Sequence, residues 1–202
     1  MKIGILGSGS GTNAEAIIKS VKAGKCPVEI AIIISDVENA YILERGRKYG
    51  IPAYYINPGK HKTWLEPEIE KEYVNTLKDA GAELVALAGY MRIVKEPMLD
   101  AFPRRIINIH PALLPAFPGL ESWRQALEYG VRYTGCTVHF VDKGIDTGPI
   151  ILQAVVPILD NDTPESLHAR IQVEEHKIYP EAIRLIAENK IEICGRRVII
   201  HN

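Results

Sequence analysis

Residues 2–13 read KIGILGSGSGTN, a short apolar run that leads into a loop of glycine and serine. The run Lys2–Gly7 predicts a buried strand, because short apolar runs bounded by turn residues are typical of strands in a covered sheet. The apolar positions after the loop have the i, i+3, i+4, i+7 spacing of an amphipathic helix over Ala14–Ala23. A strand, a glycine loop and a helix in this order predict the first unit of a parallel α/β sheet.

Strand-like and helix-like segments alternate through the rest of the chain, separated by glycine and proline. The first four strands are solidly apolar, which is typical of a parallel sheet covered on both faces. We therefore predict an α/β fold over residues 1–202, a single-domain, Rossmann-like, mostly parallel sheet with helices on both faces. The further predicted strands are Val28–Ile34, Ala53–Ile56, Leu84–Ala88, Ile106–Ile109, Thr134–Val141 and Ile150–Pro157, with a weak terminal pair at Ile191–Ile193 and Val198–Ile200. The further predicted helices are Tyr41–Tyr49, Ile69–Ala80, Ser122–Tyr129 and Pro164–Glu188.

The composition predicts a folded protein with a substantial core, since 47% of the 202 residues are hydrophobic. Lysine and arginine number 24 against 25 aspartates and glutamates, and the net charge of −1 argues against disorder and against a dedicated nucleic-acid binder. No apolar run approaches the roughly 18–20 residues of a membrane span. The three cysteines, Cys26, Cys136 and Cys194, lack CxxC spacing, which disfavours a disulfide framework and a zinc site. We expect a cytoplasmic monomer or homodimer that binds no metal, nucleic acid or membrane.

Ligands of open α/β sheets bind outside the carboxyl ends of the strands. In the first loop there, a glycine turn before a helix N-terminus favours a phosphate group. The dinucleotide fingerprint would need glycine where Thr12 stands, and the P-loop would need a lysine that is absent, so we predict a site for a single phosphate. A simple tight turn remains an alternative, and Asp36 after the second strand leaves a nicotinamide site open. The loops predicted to meet at this edge are Ser8–Asn13, Gly89–Val94, Asn108–Gly119 and Lys143–Pro149.

Asn108 and His110 form a candidate pair for chemistry, because residues two apart on a strand point to the same side. A carboxamide and an imidazole side by side can stabilise an oxyanion and exchange a proton. Either Asp142 or Asp146 could meet His110 across the sheet end and orient its ring. The simpler interpretation is a turn cap, a satisfied histidine and solvated carboxylates. Covalent acyl transfer is disfavoured because no serine or cysteine is placed as a nucleophile.

Two further segments contain candidate binding residues. The apolar side chains beside one arginine in Met91–Val94 suit a flat, partly polar ring ligand, although core residues and a surface arginine would read the same. Glu175 lies beside His176 in the longest predicted helix, where a solvated helix face is the default interpretation.

Taken together, these motifs resemble the phosphoribosylglycinamide (GAR) formyltransferases, folate-dependent enzymes of purine biosynthesis. The run Asn-x-His-Pro-x-Leu-Leu-Pro with a later Asp-x-Gly marks the wider formyltransferase superfamily, and the opening Ser-Gly-x-Gly-[Ser/Thr]-Asn narrows the likeness to the GAR branch. The matching segments extend almost from end to end: 8–13, 87–93, 108–115, 135–141, 146–153 and 175–180.

The resemblance implies the formyltransferase fold and direct transfer of the formyl group of 10-formyltetrahydrofolate, a co-substrate, to the amine of GAR. It implies no metal. It also implies roles for three groups of residues. They are a catalytic trio (Asn108, His110, Asp146), a GAR site (Gly11, Thr12 and Asn13 for the phosphate, Glu175 for the ribose or amine end) and a folate site (Met91, Arg92, Ile93, Val94, with Asn108).

The chain departs from the family pattern at two places. Relatives commonly have an arginine where Lys60–Trp64 stands, and many have a histidine where Leu120–Trp123 follows Gly119. Methionyl-tRNA formyltransferase and formyltetrahydrofolate hydrolase remain alternatives within the superfamily, although both commonly have a further domain. A nicotinamide-dinucleotide module is the alternative from another class, but it would leave the Asn108, His110 and Asp146 motifs without a role.

Overall fold

A computed structural model describes residues 1–201 as a nine-stranded sheet with helices against both faces. The strands are β1 (Lys2–Leu6), β2 (Glu29–Ser35), β3 (Ala53–Tyr55), β4 (Leu84–Leu87), β5 (Ile106–His110), β6 (Tyr133–Phe140), β7 (Ile150–Pro157), β8 (Ile191–Cys194) and β9 (Arg197–Ile200). The helices are α1 (Thr12–Lys22), α2 (Tyr41–Lys48), α3 (Pro67–Asp79), α4 (Glu96–Ala101), α5 (Ser122–Tyr129) and α6 (Pro164–Ala187).

The strand order is β3-β2-β1-β4-β5-β6-β7-β9-β8. The strands β1 to β5 pair in parallel, whereas β6 runs antiparallel to β5 and β7 antiparallel to β6. The prediction of a mostly parallel, Rossmann-like α/β sheet is therefore confirmed. The order reverses between β1 and β4, and such a switch point opens a crevice at the carboxyl ends of the strands.

Alternation along the central strands builds two hydrophobic cores, one on each face of the sheet. Ile3 and Ile5 of β1 belong to the core under α1 and α6, whereas Leu6 belongs to the core under α3 and α4. Gly4 faces α3, where an added Cβ would lie 2.3 Å from Leu77 Cδ2, so the glycine allows that helix to pack closely. Within residues 1–201, none of the helices is both long and apolar enough to span a membrane.

The predicted bounds differ from the observed ones mainly at element ends. His110, which the sequence assigned to the proline-rich loop, is the last residue of β5 because it pairs with Thr137 of β6. Helix α3 begins at Pro67 rather than Ile69, since proline is well suited to the first turn of a helix. Helix α1 begins at Thr12, directly after the left-handed Gly11.

Tyr179 fixes the long helix α6 on the sheet. Its side chain is fully buried, and its hydroxyl donates to the carbonyl oxygens of Leu87 (2.9 Å) and Ile107 (3.1 Å) on β4 and β5. Glu175 lies one turn earlier on the same face of the helix. The anchor therefore directs Glu175 towards the carboxyl end of the sheet.

Candidate active site

The loops at the carboxyl ends of the strands make direct contacts in pairs. The backbone N–H of Ser8 donates to Gly89 O (3.0 Å), and the N–H of Met91 donates to Ser8 Oγ (2.9 Å). The N–H of Gly119 donates to Asp146 Oδ2 (2.9 Å). The first predicted loop is thus joined to the second across the switch point, and the third is joined to the fourth.

Asp146, rather than Asp142, meets His110. Asp146 Oδ2 lies 3.4 Å from His110 Nδ1, and its Oδ1 lies 3.7 Å from Nε2 of His139. Asp142 instead accepts from Gly144 N (3.0 Å) and Thr147 Oγ1 (2.6 Å) within its own turn. The structure therefore brings one of the two loop carboxylates to the buried imidazole.

Both ring nitrogens of His110 face acceptors. Nδ1 faces the Asp146 carboxylate, and Nε2 lies 2.8 Å from the carbonyl oxygen of Phe117. A protonated imidazolium can donate at both nitrogens at once. The ring is therefore held in one orientation at the end of β5 by a contact at each nitrogen.

His139 is a residue of this cluster that the sequence analysis did not identify. Its Nδ1 lies 2.9 Å from Phe140 O, and because a carbonyl oxygen only accepts, the ring proton sits on Nδ1. The free Nε2 then accepts from Asn108 Nδ2 at 3.3 Å. Burial lowers the pKa of His139, which favours this neutral form. The feature that could have identified His139 is the antiparallel pairing of β5 and β6, in which Asn108 is directly opposite His139.

The N-terminus of α1 offers unpaired backbone N–H groups. Gly11 is its N-cap residue at a φ of 70°, and no side chain caps the helix there. Such groups together with the helix dipole attract an anion. Thr12 and Asn13 form the first turn, so the segment predicted to hold a phosphate lies at this N-terminus.

Asn13 and Glu175 are brought together although they lie 162 positions apart in the chain. Asn13 Nδ2 donates to Glu175 Oε2 at 2.8 Å, while Asn13 Oδ1 is buried with no partner among the described residues. Glu175 is buried, which raises the pKa of its carboxyl, and the bond from Asn13 counteracts part of that rise. A solvated helix face is therefore wrong for Glu175.

The segment Met91–Val94 exposes two apolar side chains. Met91 is 57% exposed and Ile93 is also exposed, whereas Val94 is buried. The Arg92 guanidinium points inward, with Nε donating to Asp36 Oδ2 at 2.6 Å and Nη1 to the carbonyl oxygen of His61. A surface arginine is therefore wrong for Arg92, and Asp36, which a nicotinamide site would use, is buried and paired with Arg92.

The two segments that depart from the family pattern contain aromatic stacks. The rings of His61 and Trp64 lie 3.8 Å apart, and Lys95 Nζ lies 3.7 Å from the Trp64 ring centre. Trp123 of α5 stacks on His168 of α6 at 3.8 Å.

Among residues 1–201, no group of three or more His, Cys, Asp or Glu side chains is arranged to hold a metal ion.

Comparisons with known proteins identify the family of the chain. Residues 1–183 match the family model described as formyl transferase. A solved structure of glycinamide ribonucleotide transformylase 1 from Symbiobacterium toebii is 54% identical with a TM-score of 0.96, covering 100% of this chain and 94% of that one. Phosphoribosylglycinamide formyltransferase of Bacillus subtilis (strain 168) is 40% identical over 183 residues, which are 91% of this chain and 93% of that protein.

A longer relative also matches. The trifunctional purine biosynthetic protein adenosine-3 of Drosophila pseudoobscura pseudoobscura is 43% identical over 193 residues. These residues are 94% of this chain but 14% of that protein, so the chain spans a small part of the trifunctional relatives.

Proposed function

The chain belongs to the formyl transferase family, and from this membership we propose that it transfers the formyl group of 10-formyltetrahydrofolate to the amine of GAR. The products are formyl-GAR and tetrahydrofolate, and the reaction serves purine biosynthesis. The observation that carries the proposal is the cluster at the end of β5, where Asp146 lies against His110 and Asn108 stands two residues before it. A carboxamide, an imidazole and a carboxylate suit formyl transfer without a covalent intermediate.

The N-terminus of α1 and the buried Glu175 support GAR as the acceptor. The phosphate binds to the backbone of Gly11 and Thr12, where the unpaired N–H groups and the helix dipole favour an anion. Glu175 and the unpartnered Oδ1 of Asn13 are acceptors beside that phosphate, so they bind hydroxyl or amine hydrogens of the same substrate. An anion site next to a pair of acceptors matches a phosphorylated sugar with an amine.

The segment after β4 supports the folate site. The exposed side chains of Met91 and Ile93 provide an apolar surface for a flat ring. The side chain of Arg92 holds this segment through Asp36 rather than binding the ligand itself. Ser8, in the loop Ser8–Asn13 before α1, accepts a hydrogen bond from Met91 in this segment, so the two substrates lie on adjoining loops.

These positions support the following course of the reaction. The amine nitrogen of GAR attacks the formyl carbon, and the carbonyl oxygen becomes an oxyanion. Asn108 and the protonated His110 donate hydrogen bonds to that oxyanion, which takes the place of Phe117 O at Nε2 of His110. The bond from the formyl carbon to the folate nitrogen then breaks. The amine loses a proton through water to Asp146, and Asp146 returns that proton through water to the folate nitrogen, so the carboxylate is regenerated.

The test is a spectrophotometric assay of 10-formyltetrahydrofolate with GAR, with methionyl-tRNA and with neither acceptor. We expect turnover with GAR alone. Turnover without an acceptor would indicate a hydrolase, and turnover with methionyl-tRNA would indicate that branch of the superfamily.

The roles in the site are tested by substitution. Asp146→Asn and Asn108→Ala should each lower turnover with GAR by roughly 10²-fold or more, since each removes a group that acts on the developing charge. Asp160→Asn is the matched control, because that carboxylate is exposed and pairs with Arg132. Turnover of the two site variants close to that of the control would contradict the assignment.

A further inference from the structure

Arg45 of α2 reaches the loop in front of α1 and contacts two parts of it. Its Nε donates to the carbonyl oxygen of Ser10 at 2.7 Å, and its Nη1 donates to Oε2 of Glu15 in the first turn of α1. The side chains of Arg45 and Glu15 are each 17% exposed. One guanidinium therefore joins the glycine loop to the helix whose N-terminus would bind the phosphate.

The loop lies directly against the first turn of α2. The N–H of Ile42 donates to Gly9 O at 3.1 Å, and a Cβ added to Gly11 would lie 2.7 Å from the Ile42 side chain. The carbonyl oxygens of Gly9 and Ser10 are thus both directed at α2. In a planar trans peptide the N–H points away from its C=O, so the N–H groups of Ser10 and Gly11 point away from α2.

Neighbouring side chains hold the Arg45–Glu15 pair in place. The hydroxyl of Tyr49 donates to Glu15 Oε1 at 3.0 Å, and Lys19 Nζ lies 3.5 Å from the same oxygen. The guanidinium of Arg45 packs over the ring of Tyr41 at 4.8 Å. The positive charge of Arg45 is paired with a carboxylate, so the arrangement suits holding the backbone better than binding a phosphate directly.

We infer that Arg45 is a positioning residue for phosphate binding, which acts by fixing the Ser10 carbonyl so that the loop N–H groups face the anion. The identity of the phosphate as that of GAR rests on the proposed function, but the geometry applies to any phosphate monoester. Removing Arg45 should weaken phosphate binding and leave the formyl transfer step intact.

The test compares Arg45→Ala and Arg45→Lys with Arg47→Ala. Arg47 is the matched control because it lies on the same helix and pairs with Glu44, with both side chains 59% exposed. Arg45→Ala should raise the KM for GAR roughly tenfold or more, because it removes a charged hydrogen bond that orders the loop. The kcat at saturating GAR and the KM for the folate should stay within about twofold, as for loss of uniform binding.

Two other variants, Arg45→Lys and Glu15→Gln, keep the inference open to refutation if Arg45→Ala does not fold. Lysine keeps the charge but lacks the planar fork, so Arg45→Lys should recover part of the GAR affinity. Glu15→Gln, which weakens the hold on Arg45, should raise the KM for GAR in the same direction. The inference would be overturned if Arg45→Ala had the same KM for GAR as Arg47→Ala, or if Arg45→Ala raised the KM of both substrates equally.

A second measurement separates this inference from the proposed function. Calorimetric titration with inorganic phosphate reports on the loop even if GAR is not the acceptor. We expect the wild-type protein and Arg47→Ala to bind phosphate with equal affinity, and Arg45→Ala to bind it roughly tenfold more weakly or worse. Equal phosphate affinity in all three proteins would overturn the role of Arg45, whatever the formyl-transfer assay shows.

Discussion

Replacing Arg92 with alanine would leave the carboxylate of Asp36 buried without its partner. The two side chains are 10% and 3% exposed, and Nε of Arg92 lies 2.6 Å from Asp36 Oδ2. Breaking a buried pair by removing one ion typically costs about 3–5 kcal/mol, because the other charge remains away from water. That is a large part of the roughly 5–15 kcal/mol by which domains are stable. We therefore expect Arg92→Ala to be strongly destabilised.

The assay is urea unfolding followed by circular dichroism, with two reference variants. Arg132→Ala breaks the exposed Arg132–Asp160 pair, whose side chains are 76% and 91% exposed, and should cost less than about 1 kcal/mol. The double variant Asp36→Asn/Arg92→Ala should be more stable than Arg92→Ala, because no unpaired charge is left buried. The reasoning would be refuted if Arg92→Ala lost no more stability than Arg132→Ala, or if the double variant regained nothing.

The same variants test what Arg92 does for the ligand. If Arg92 holds the segment Met91–Val94 through Asp36, then Asp36→Asn alone should raise the KM for 10-formyltetrahydrofolate, although Asp36 is not a ligand. If the guanidinium binds the folate directly, freeing it from Asp36 would leave that KM unchanged or lower it.

Two further predictions concern the buried titratable groups. Burial raises the pKa of Glu175 above 4.5, so the ionised carboxylate destabilises the fold once the pH rises above 4.5. Glu175→Gln should therefore be more stable than the wild-type protein near pH 7. The urea midpoints of the two proteins should converge below pH 4.5. The same variant should bind GAR more weakly, measured as a raised KM. Burial lowers the pKa of His139 below 6.5, so the wild-type protein loses stability as the pH falls through that value. The Tm of His139→Asn should fall less than the wild-type Tm between about pH 7 and pH 5. An equal fall in Tm would contradict a buried neutral imidazole.

Local pattern was sufficient for most of the secondary structure. The bounds of Ser122–Tyr129 and Ile150–Pro157 were predicted as they are observed, because glycine and proline mark their ends in the sequence itself. The end of β5 was predicted one residue short, because Pro111 signals a loop while the pairing of His110 with Thr137 is a tertiary contact. Local sequence contains no information about that partner.

The site shows the same division between residue type and residue partner. The sequence identified Asn108, His110 and Asp146 as chemically suitable, and the structure shows that Asp146 reaches the imidazole. His139 was missed because an alternating strand looks the same whatever lies opposite, and its contact with Asn108 depends on the register of β5 and β6. Arg92 was identified without its partner, since Asp36 lies 56 positions away.

The strand order places the loop Ser8–Asn13, the proposed phosphate site, between the two proposed substrate sites. In the sheet, β1 lies between β2 and β4. The loop that follows β1 is therefore flanked by helix α2, which follows β2, and by the segment that follows β4. Arg45 holds the loop from the first flank through Ser10, and Ser8 accepts from Met91 on the second. A loop fixed on both flanks would keep the proposed phosphate site at a constant distance from the proposed folate site. Holding two reactants in such a relation lowers the entropic part of the barrier, since neither has to search for the other.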